Sequence, residues 1–321
     1  MFNRLKTAAR VLYNLYPVAK RPGDFLKAPM PEALRQHQAR GEPNLDRIGW
    51  QLVTSAQMEG PLYEQWCALI RDSRVKHRKV WEWVYILEVL KQHGMLAEGK
   101  RGLGFGCGTE PLSALMASMG SEIVATDLDP LIAEKQGWWT KTHQHAGGLS
   151  QLNEAGICDP DLFARKVSYR SCDMNAIPGE LRGFDFVWSS CSLEHLGSLQ
   201  NGLDFIERSM DCLKPGGIAV HTTEFNLGTK DRTLETSAVV AYRKKDIEAL
   251  ALRLIGNGYK IPQINFSPGD RLLDRVVDRP PYRHSHLKLL YARHLITSIG
   301  LFVVKGEAEA GSGKGEEGRV I

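Results

Sequence analysis

A run of alternating glycines constrains this chain more than any other feature. Gly104, Gly106 and Gly108 follow an apolar stretch, and Asp127 closes the next apolar stretch about twenty residues later. A strand that ends in glycines and turns directly into a helix leaves backbone N–H groups open to a ligand, because no Cβ blocks close approach. An acidic residue at the end of the following strand is placed to bind ribose hydroxyls. Together these features predict an α/β fold that binds a nucleoside.

The glycine spacing departs from the dinucleotide fingerprint Gly-x-Gly-x-x-Gly. Pro111 stands where the third glycine of that fingerprint would fall. Proline suits the first turn of a helix, because its missing N–H has no partner there. The sequence also lacks a phosphate-binding P-loop motif. A dehydrogenase is therefore disfavoured, and a nicotinamide cofactor bound on purification would restore it as an alternative.

Further landmarks follow the glycine run in the order of a known family. They are Ser171–Pro178, Phe184–Leu196, and Cys212–His221 with its Leu-Lys-Pro-Gly-Gly turn. This order resembles the class I S-adenosylmethionine-dependent methyltransferases, over about residues 80 to 305. The resemblance implies a Rossmann-like sheet, mostly parallel with an antiparallel last strand, with helices on both faces. It also implies S-adenosylmethionine as the cofactor.

The resemblance carries the family's cofactor-binding positions onto this sequence. They are Gly104, Gly106, Gly108, Glu110, Asp127, Leu128, Asp173, Met174, Ser189 and Ser190. Gly106 and Gly108 would lie beneath the methionine part of the cofactor, and Asp127 would bind its ribose. Asp173 and the Met174 backbone would contact the adenine amino edge. The two serines and Cys191 would line the floor near the sulfonium.

Two positions depart from the family's pattern. The family commonly has an acidic residue where this chain has Gly104, and glycine where this chain has Glu110. We hypothesise that Glu110 supplies the missing negative charge for the α-ammonium group of the cofactor. The same departures leave open a non-catalytic relative that keeps the fold as an interaction scaffold.

Two side chains near the carboxyl ends of predicted strands are candidate bases. Ligands of α/β sheets bind beyond those ends, and methyl transfer to a hydroxyl requires a base. His195 is the first candidate because imidazole titrates near neutrality, with a helix-capping histidine as the alternative. Glu224 closes a buried strand, where a carboxylate must contact water, pair with a cation or act chemically. His221 lies inside that strand and is predicted to be structural.

An irregular segment from Pro262 to Tyr291 interrupts the alternation of strands and helices. Asp270, Asp274 and Asp278 repeat every four residues in this segment, and so do Arg271, Arg275 and Arg279. On a helix these would form two adjacent, self-paired stripes. Alternatively, the cations would bind an anionic acceptor together with Tyr282, Arg283 and His284, since guanidinium groups fit carboxylates and phosphates. Trp138 would then stack on a sugar ring.

The leading interpretation is a methyltransferase that acts on a hydroxyl of a small molecule or glycan. It is loosely similar to bacterial methyltransferases that accompany polysaccharide assembly, and a protein or RNA methyltransferase is the alternative. The net charge of +4 argues against a surface dedicated to nucleic acid. The spacing of the six cysteines is unlike that of zinc ligands, and their use favours a protein of the reducing cytoplasm. The pairs of histidines two residues apart have no carboxylate at a recurring spacing that could complete a metal site. We therefore predict no metal.

The chain is predicted to divide into a helical cap over residues 1–79, a methyltransferase domain over 80–305 with the insertion at about 262–291, and a disordered tail over 306–321. Residues 2–16 place apolar side chains at helical spacing among basic ones. They would pack on the core or make weak contact with an anionic membrane surface. A membrane span and a secretory signal are not expected. The oligomeric state is left open.

Overall fold

The computed structural model describes residues 24–72, 76–136, 148–228, 231–282 and 285–307. The α-helices of these ranges are α1 (Pro61–Ile70), α2 (Arg78–Gln92), α3 (Leu112–Ser118), α4 (Pro130–Gln136), α5 (Pro160–Lys166), α6 (Leu199–Ser209) and α7 (Lys244–Gly256). The strands are β1 (Trp50–Leu52), β2 (Arg101–Phe105), β3 (Glu122–Asp127), β4 (Val167–Ser171), β5 (Phe184–Ser190), β6 (Leu213–Asn226), β7 (Ile264–Asn265), β8 (Val277–Asp278), β9 (Lys288–Tyr291) and β10 (His294–Val304).

One mixed sheet organises the fold, in the order β4-β3-β2-β5-β6-β10-β1-β7. The strands from β4 to β6 pair in parallel, whereas β10 runs antiparallel to β6 from Ile296 opposite Asn226 to Val304 opposite Ile218. The predicted α/β class is confirmed, with its mostly parallel sheet and an antiparallel last strand. None of the helices in the described ranges is both long and apolar enough to span a bilayer.

Helix α2 is the buried helix that brings the N-terminal half of the chain to the candidate site. Its side chains from Val80 to Leu90 are buried, because the helix packs against β5, β6 and β10. The Tyr85 hydroxyl donates to the Gly49 carbonyl at 2.8 Å, which joins the helix to the segment before β1. The first turn of α2 therefore lies near the carboxyl end of β6.

The segment before α2 is described over residues 24–72 and 76–77. Its described part contains short 3-10 turns, α1 and the strand β1, which pairs antiparallel with β10. The Trp50 indole donates to the Phe302 carbonyl at 2.6 Å, so this buried side chain fixes β1 to the sheet. Residues 2–16 lie outside the described residues, and so does the predicted tail beyond residue 307.

Of the two alternatives for the Asp–Arg repeat, the self-paired helix is wrong. The structure places only a short 3-10 turn there, Leu273–Arg275. Asp274 is buried and accepts hydrogen bonds from the backbone N–H and hydroxyl of Ser55, at 2.7 and 2.9 Å. Asp278 is buried and bonds His286 Nδ1 at 2.9 Å. Because groups outside the repeat satisfy these carboxylates, the segment anchors to the rest of the fold instead of pairing with itself along a helix.

Candidate functional site

The glycine loop after β2 forms one wall of a cavity. Gly106 and Gly108 have φ values of +58° and +52°, a left-handed conformation that favours glycine. A Cβ on Gly106 would lie 2.6 Å from the hydroxyl oxygen of Ser192, so a larger side chain would fill this approach. The loop therefore presents backbone, with no side chain in the way, to whatever the cavity holds.

Two carboxylates at the ends of β3 and β4 face the same cavity. Asp127 accepts from the backbone N–H groups of Gly108 and Leu128, at 2.9 and 2.8 Å, so its orientation is fixed. Asp173 is exposed and accepts from the Asn175 N–H at 2.8 Å. The parallel order of the strands brings both carboxylates to one edge of the sheet.

The cavity has a volume of about 730 Å³. Nine of the site residues predicted from the sequence line it: Gly106, Gly108, Glu110, Asp127, Leu128, Asp173, Met174, Ser190 and His195. They come from loops that follow four different strands, which the sequence separates by as many as ninety residues. The tertiary structure thus brings most of the predicted positions together.

Gly104, Ser189 and Tyr282 are predicted positions within the described residues that do not line this cavity. Gly104 is covered, since a Cβ there would lie 2.3 Å from Cys107 Sγ and 2.4 Å from the Trp188 ring. The Ser189 hydroxyl is buried beside His221 Nδ1, at 2.8 Å. Tyr282 donates its hydroxyl to the Leu290 carbonyl at 2.8 Å. Trp138, Arg283 and His284 lie outside the described residues.

His221 is structural, as predicted. It is fully buried within β6, and its second ring nitrogen lies 3.3 Å from the Ser209 hydroxyl. Burial lowers the pKa of His221 to about 3, so the ring is neutral at physiological pH.

His195 is a half-buried histidine on the cavity wall, on the 3-10 turn Leu193–His195. Its Nδ1 lies 2.7 Å from the Ala238 carbonyl oxygen. Because a carbonyl only accepts hydrogen bonds, Nδ1 carries the proton of the neutral ring and Nε2 carries the lone pair. Burial lowers the pKa of His195, which keeps the ring in this neutral, basic form.

Glu224 lies in a buried ion pair beneath the cavity. Arg78 donates to both of its carboxylate oxygens, at 2.9 and 2.7 Å, and also to the Ser298 hydroxyl at 2.9 Å. Glu82 accepts from the Ser298 hydroxyl and lies 3.2 Å from Lys79 Nζ. A carboxylate that already binds a guanidinium at both oxygens is poorly placed to accept a proton from a substrate.

Replacing Glu224 with glutamine is expected to lower the free energy of unfolding by about 3 kcal/mol, because it leaves a buried guanidinium without its main counter-charge. Urea unfolding followed by circular dichroism measures this change. The Glu122→Gln variant is the matched control, since Glu122 forms an exposed ion pair with Arg101 at 3.9 Å and its loss should cost under about 1 kcal/mol. Equal losses in the two variants would contradict the structural importance of the buried pair.

A second buried carboxyl, Glu194, lies next to this ion pair and is 1% exposed. Burial and the neighbouring Glu224 carboxylate raise the pKa of Glu194 to about 7, and the Thr223 hydroxyl donates to Glu194 at 3.0 Å. The possible ligand atoms of Glu194, Glu224 and Cys191 lie within 4.8 Å of one another. Arg78 already neutralises Glu224 there, and the absence of a metal stays a prediction.

Glu110 is the other carboxyl of the cavity with a displaced pKa. Burial raises the pKa of Glu110 to about 8, although the Trp83 indole and the Lys79 ammonium act in the opposite direction. Its Oε2 atom is buried and has no hydrogen-bond partner in the part of the chain that the structure describes. Such an atom gains from a ligand that donates hydrogen bonds or carries positive charge.

Lys79 and Trp83 of α2 also line the cavity, and sequence reasoning missed both. From the sequence alone, no binding role is assigned to this helix. One signal was present: Lys79 precedes the run Val80–Leu87 and Glu82 interrupts it, the run is otherwise apolar, and charged groups on a buried helix face require partners. The helical spacing alone does not say that those partners lie beside a cavity.

Part of the chain matches a known protein family. Residues 103–221 match the family model described as a methyltransferase domain. Among curated proteins, none matches this chain significantly.

Two solved structures illustrate the structural likeness. Magnesium protoporphyrin IX methyltransferase from Synechocystis, with S-adenosylmethionine bound, is 14% identical, with 76% of this chain and 91% of that one covered at a TM-score of 0.44. An S-adenosylmethionine-dependent methyltransferase from Mesorhizobium loti is 15% identical, with 68% and 96% covered at a TM-score of 0.42.

Proposed function

This chain carries a class I S-adenosylmethionine-dependent methyltransferase domain, and from that premise we propose that it methylates a hydroxyl group, with His195 as the base. The acceptor is a small molecule or a glycan, and the setting is bacterial polysaccharide assembly in the cytoplasm. The observation that carries the proposal is the 2.7 Å contact between His195 Nδ1 and the Ala238 carbonyl, on the wall of the cavity. That contact places the proton of the neutral ring on Nδ1 and the basic lone pair on Nε2.

The residues of the cavity fit S-adenosylmethionine. A Cβ at Gly106 would fill the cradle, and two buried polar atoms, Glu110 Oε2 and Ser190 Oγ, have no hydrogen-bond partner among the described residues. Gly106 and Gly108 would hold the methionine part, and Asp127 with Leu128 the ribose. Asp173 and Met174 would hold the adenine. We propose that Ser189 and Gly104, which are buried behind the lining residues, support this wall of the cavity.

When bound, the cofactor would supply an electrophilic methyl carbon: the acceptor oxygen would bond to this carbon in line with the sulfur–carbon bond, and that bond would break to release the neutral thioether. His195 accepts the hydroxyl proton of the acceptor at Nε2. The Ala238 carbonyl stabilises the imidazolium that forms, because it accepts a hydrogen bond from the Nδ1–H group in both charge states. Trp83 and Leu196 line the cavity with apolar surface and limit the access of water.

We propose that Glu224 fixes the positions of neighbouring charged side chains and does not act as the base. Its ion pair with Arg78 fixes the first turn of α2, and Lys79 follows directly along the chain. The glycan part of the proposal draws support from the excess of arginine and histidine in the insertion and from its aromatic residues. Tyr282, Arg283, His284 and Trp138 are the residues proposed to contact the acceptor.

The domain division is part of the proposal: a cap to residue 79, a catalytic domain to residue 305 with the insertion at about 262–291, and a tail beyond. The cytoplasmic setting is supported by the cysteines, all six of which are buried and free.

A labelling experiment tests the acceptor class. The protein is incubated with a methyl-labelled donor and separate fractions of lipid-linked glycans, nucleotide-linked sugars, free glycans, RNA and protein. We expect label in a glycan or sugar fraction, in a form that resists alkali, because methyl ethers survive alkali whereas methyl esters hydrolyse. Label in RNA or protein, or label that alkali releases, would refute the hydroxyl acceptor.

A further inference from the structure

Position 104, where the family commonly has an acidic residue, has no room for a side chain in this protein. An aspartate or glutamate at position 104 would need a Cβ within 2.4 Å of both Cys107 and Trp188. Glu110 instead extends into the cavity from the start of the α3 helix, with a buried oxygen that lacks a partner among the described residues. The negative charge of this wall therefore comes from a different place along the loop.

A positive charge faces the same cavity from α2. Lys79 lines it with 26% of its side chain exposed, and its Nζ lies 3.2 Å from Glu82 Oε2. An ammonium has three donors, so the pair with Glu82 leaves Lys79 able to donate to a ligand. The arginine of the cavity lining, Arg71, already donates to the Ala155 and Gly156 carbonyls, at 3.0 Å each.

The position of Lys79 is set by the buried network behind it. Arg78 precedes it in the first turn of α2 and is fixed by Glu224 and Ser298, which belong to β6 and β10. Glu82, one turn later, is fully buried and holds the Lys79 ammonium from below. Because charge-assisted bonds to rigid elements restrict both neighbours, Lys79 is presented to the cavity in a restricted orientation.

We infer that Lys79 and Glu110 form a two-charge clamp for the amino-acid end of the cofactor, in which Lys79 binds the carboxylate and Glu110 binds the ammonium. The clamp depends on the proposed placement of the cofactor in this cavity and not on the identity of the acceptor. The two side chains line one cavity, and the Lys79 ammonium favours the ionised form of Glu110, which carries the opposite charge. A zwitterion presents the complementary pair of charges, and each contact replaces water around a partly buried group.

Four adenosine thioethers separate the two contacts. S-adenosylhomocysteine has both charged groups, one analogue lacks only the carboxylate, a second lacks only the ammonium, and methylthioadenosine lacks both. Calorimetric titration gives their dissociation constants for the wild type and for Lys79→Met and Glu110→Gln. No acceptor is present, so a failure of the acceptor proposal leaves this measurement unaffected.

Lys79→Met is expected to weaken S-adenosylhomocysteine and the carboxylate-bearing analogue by about 10- to 100-fold, and the ammonium-bearing analogue by less than threefold. Glu110→Gln is expected to give the converse pattern. Methylthioadenosine should bind both variants as it binds the wild type, which shows at once that the cavity is folded. Lys245→Met and Glu64→Gln, both at exposed helix positions, are the matched controls.

Three results would overturn the clamp. One is an equal loss for all four ligands in Lys79→Met, which means that the lysine only supports the cavity. Another is unchanged thioether binding together with a raised KM for the acceptor, which assigns Lys79 to the acceptor. A third is that Glu110→Gln weakens the binding of ligands with and without the ammonium group to the same extent. If methylthioadenosine fails to bind the wild type, the cofactor placement itself is wrong.

The clamp also predicts a pH dependence of cofactor binding. With the pKa of Glu110 near 8 in the free protein, binding an ammonium must expel a proton at lower pH, so affinity rises as pH increases toward 8. Lys79 and Glu82 of α2 face Glu110 with opposite charges, and both keep their charges through this range because burial is offset by their mutual pairing. Titrations of S-adenosylhomocysteine between pH 6 and 9 measure the slope, and Glu110→Gln should abolish it. A slope that persists in the variant would contradict the role of Glu110.

Discussion

Replacing His195 with glutamine is expected to lower kcat by about 10²- to 10⁴-fold and to leave the affinity for S-adenosylhomocysteine within about twofold of the wild type. Glutamine keeps a polar group of similar length but has no nitrogen that can accept a proton at neutral pH. Steady-state kinetics with the acceptor found by labelling, together with calorimetric titration, measures both quantities. A loss in kcat without a loss in binding assigns the residue to proton transfer.

The rate should also depend on pH in a defined direction. Burial lowers the pKa of His195, and the active form of a general base is the deprotonated one. Activity is therefore retained as pH falls below the ordinary histidine value of about 6.5, and it declines only at lower pH. His294→Gln, which changes a histidine in β10 away from the cavity lining, is the control and should keep wild-type kcat. If His195→Gln lowers kcat less than tenfold, another group is the base.

Restoring the family's acid with Gly104→Asp is expected to destabilise the protein by about 4 kcal/mol or more. The new Cβ would lie 2.3 Å from Cys107 Sγ and 2.4 Å from the Trp188 ring, which overpacks the core. The carboxylate would in addition be buried without a partner, which adds several kcal/mol or forces it to remain protonated. Because domains are stable by only about 5–15 kcal/mol, a loss of this size removes a large share of the stability, and the variant should unfold at a clearly lower temperature and urea concentration than the wild type.

Thermal and urea unfolding of a graded series checks this expectation. Gly104→Ala introduces the same Cβ without the charge and should cost about 1–3 kcal/mol. Gly179→Asp introduces the same carboxylate where nothing lies within 4 Å of the added Cβ, so it should stay within about 0.5 kcal/mol of wild type. A Gly104→Asp protein that folds normally and binds S-adenosylhomocysteine more tightly would show that the position is open to the cofactor.

Much of the architecture could be predicted because its signals are local. The glycine run, the strand ending at Asp127 and the turn Lys214–Gly217 each encode a short piece of backbone with few alternatives. The order of these three elements along the chain matches a known family, and this match predicts the parallel sheet. The connections between parallel strands have one favoured hand, which restricts the possible topologies. The nine predicted residues around the cavity follow from the same logic, since the carboxyl ends of parallel strands meet at one edge.

The conformation of the Asp–Arg repeat could not be predicted from its local spacing. Four-residue spacing is a local pattern, whereas Asp274 is held by Ser55, more than two hundred residues earlier in the chain. The structure also places Gly269, with φ of +72°, directly against the Asp274 carboxylate, which bends the backbone out of a helical path. Tertiary hydrogen bonds to a buried carboxylate outweigh the few tenths of a kcal/mol that exposed helical ion pairs provide.

The amino-acid sequence alone determined the type of fold, the class of cofactor and the edge of the sheet where we propose that it binds, because backbone conformation and strand periodicity depend on neighbouring residues. Only the tertiary structure decided which charged groups are satisfied. It paired Glu224 with Arg78, aimed the Nδ1 proton of His195 at Ala238, closed the space at Gly104 and left Glu110 facing Lys79 across a cavity. Those outcomes depend on burial and on partners distant in sequence, and a side chain acquires both only when the sheet and its helices have packed together.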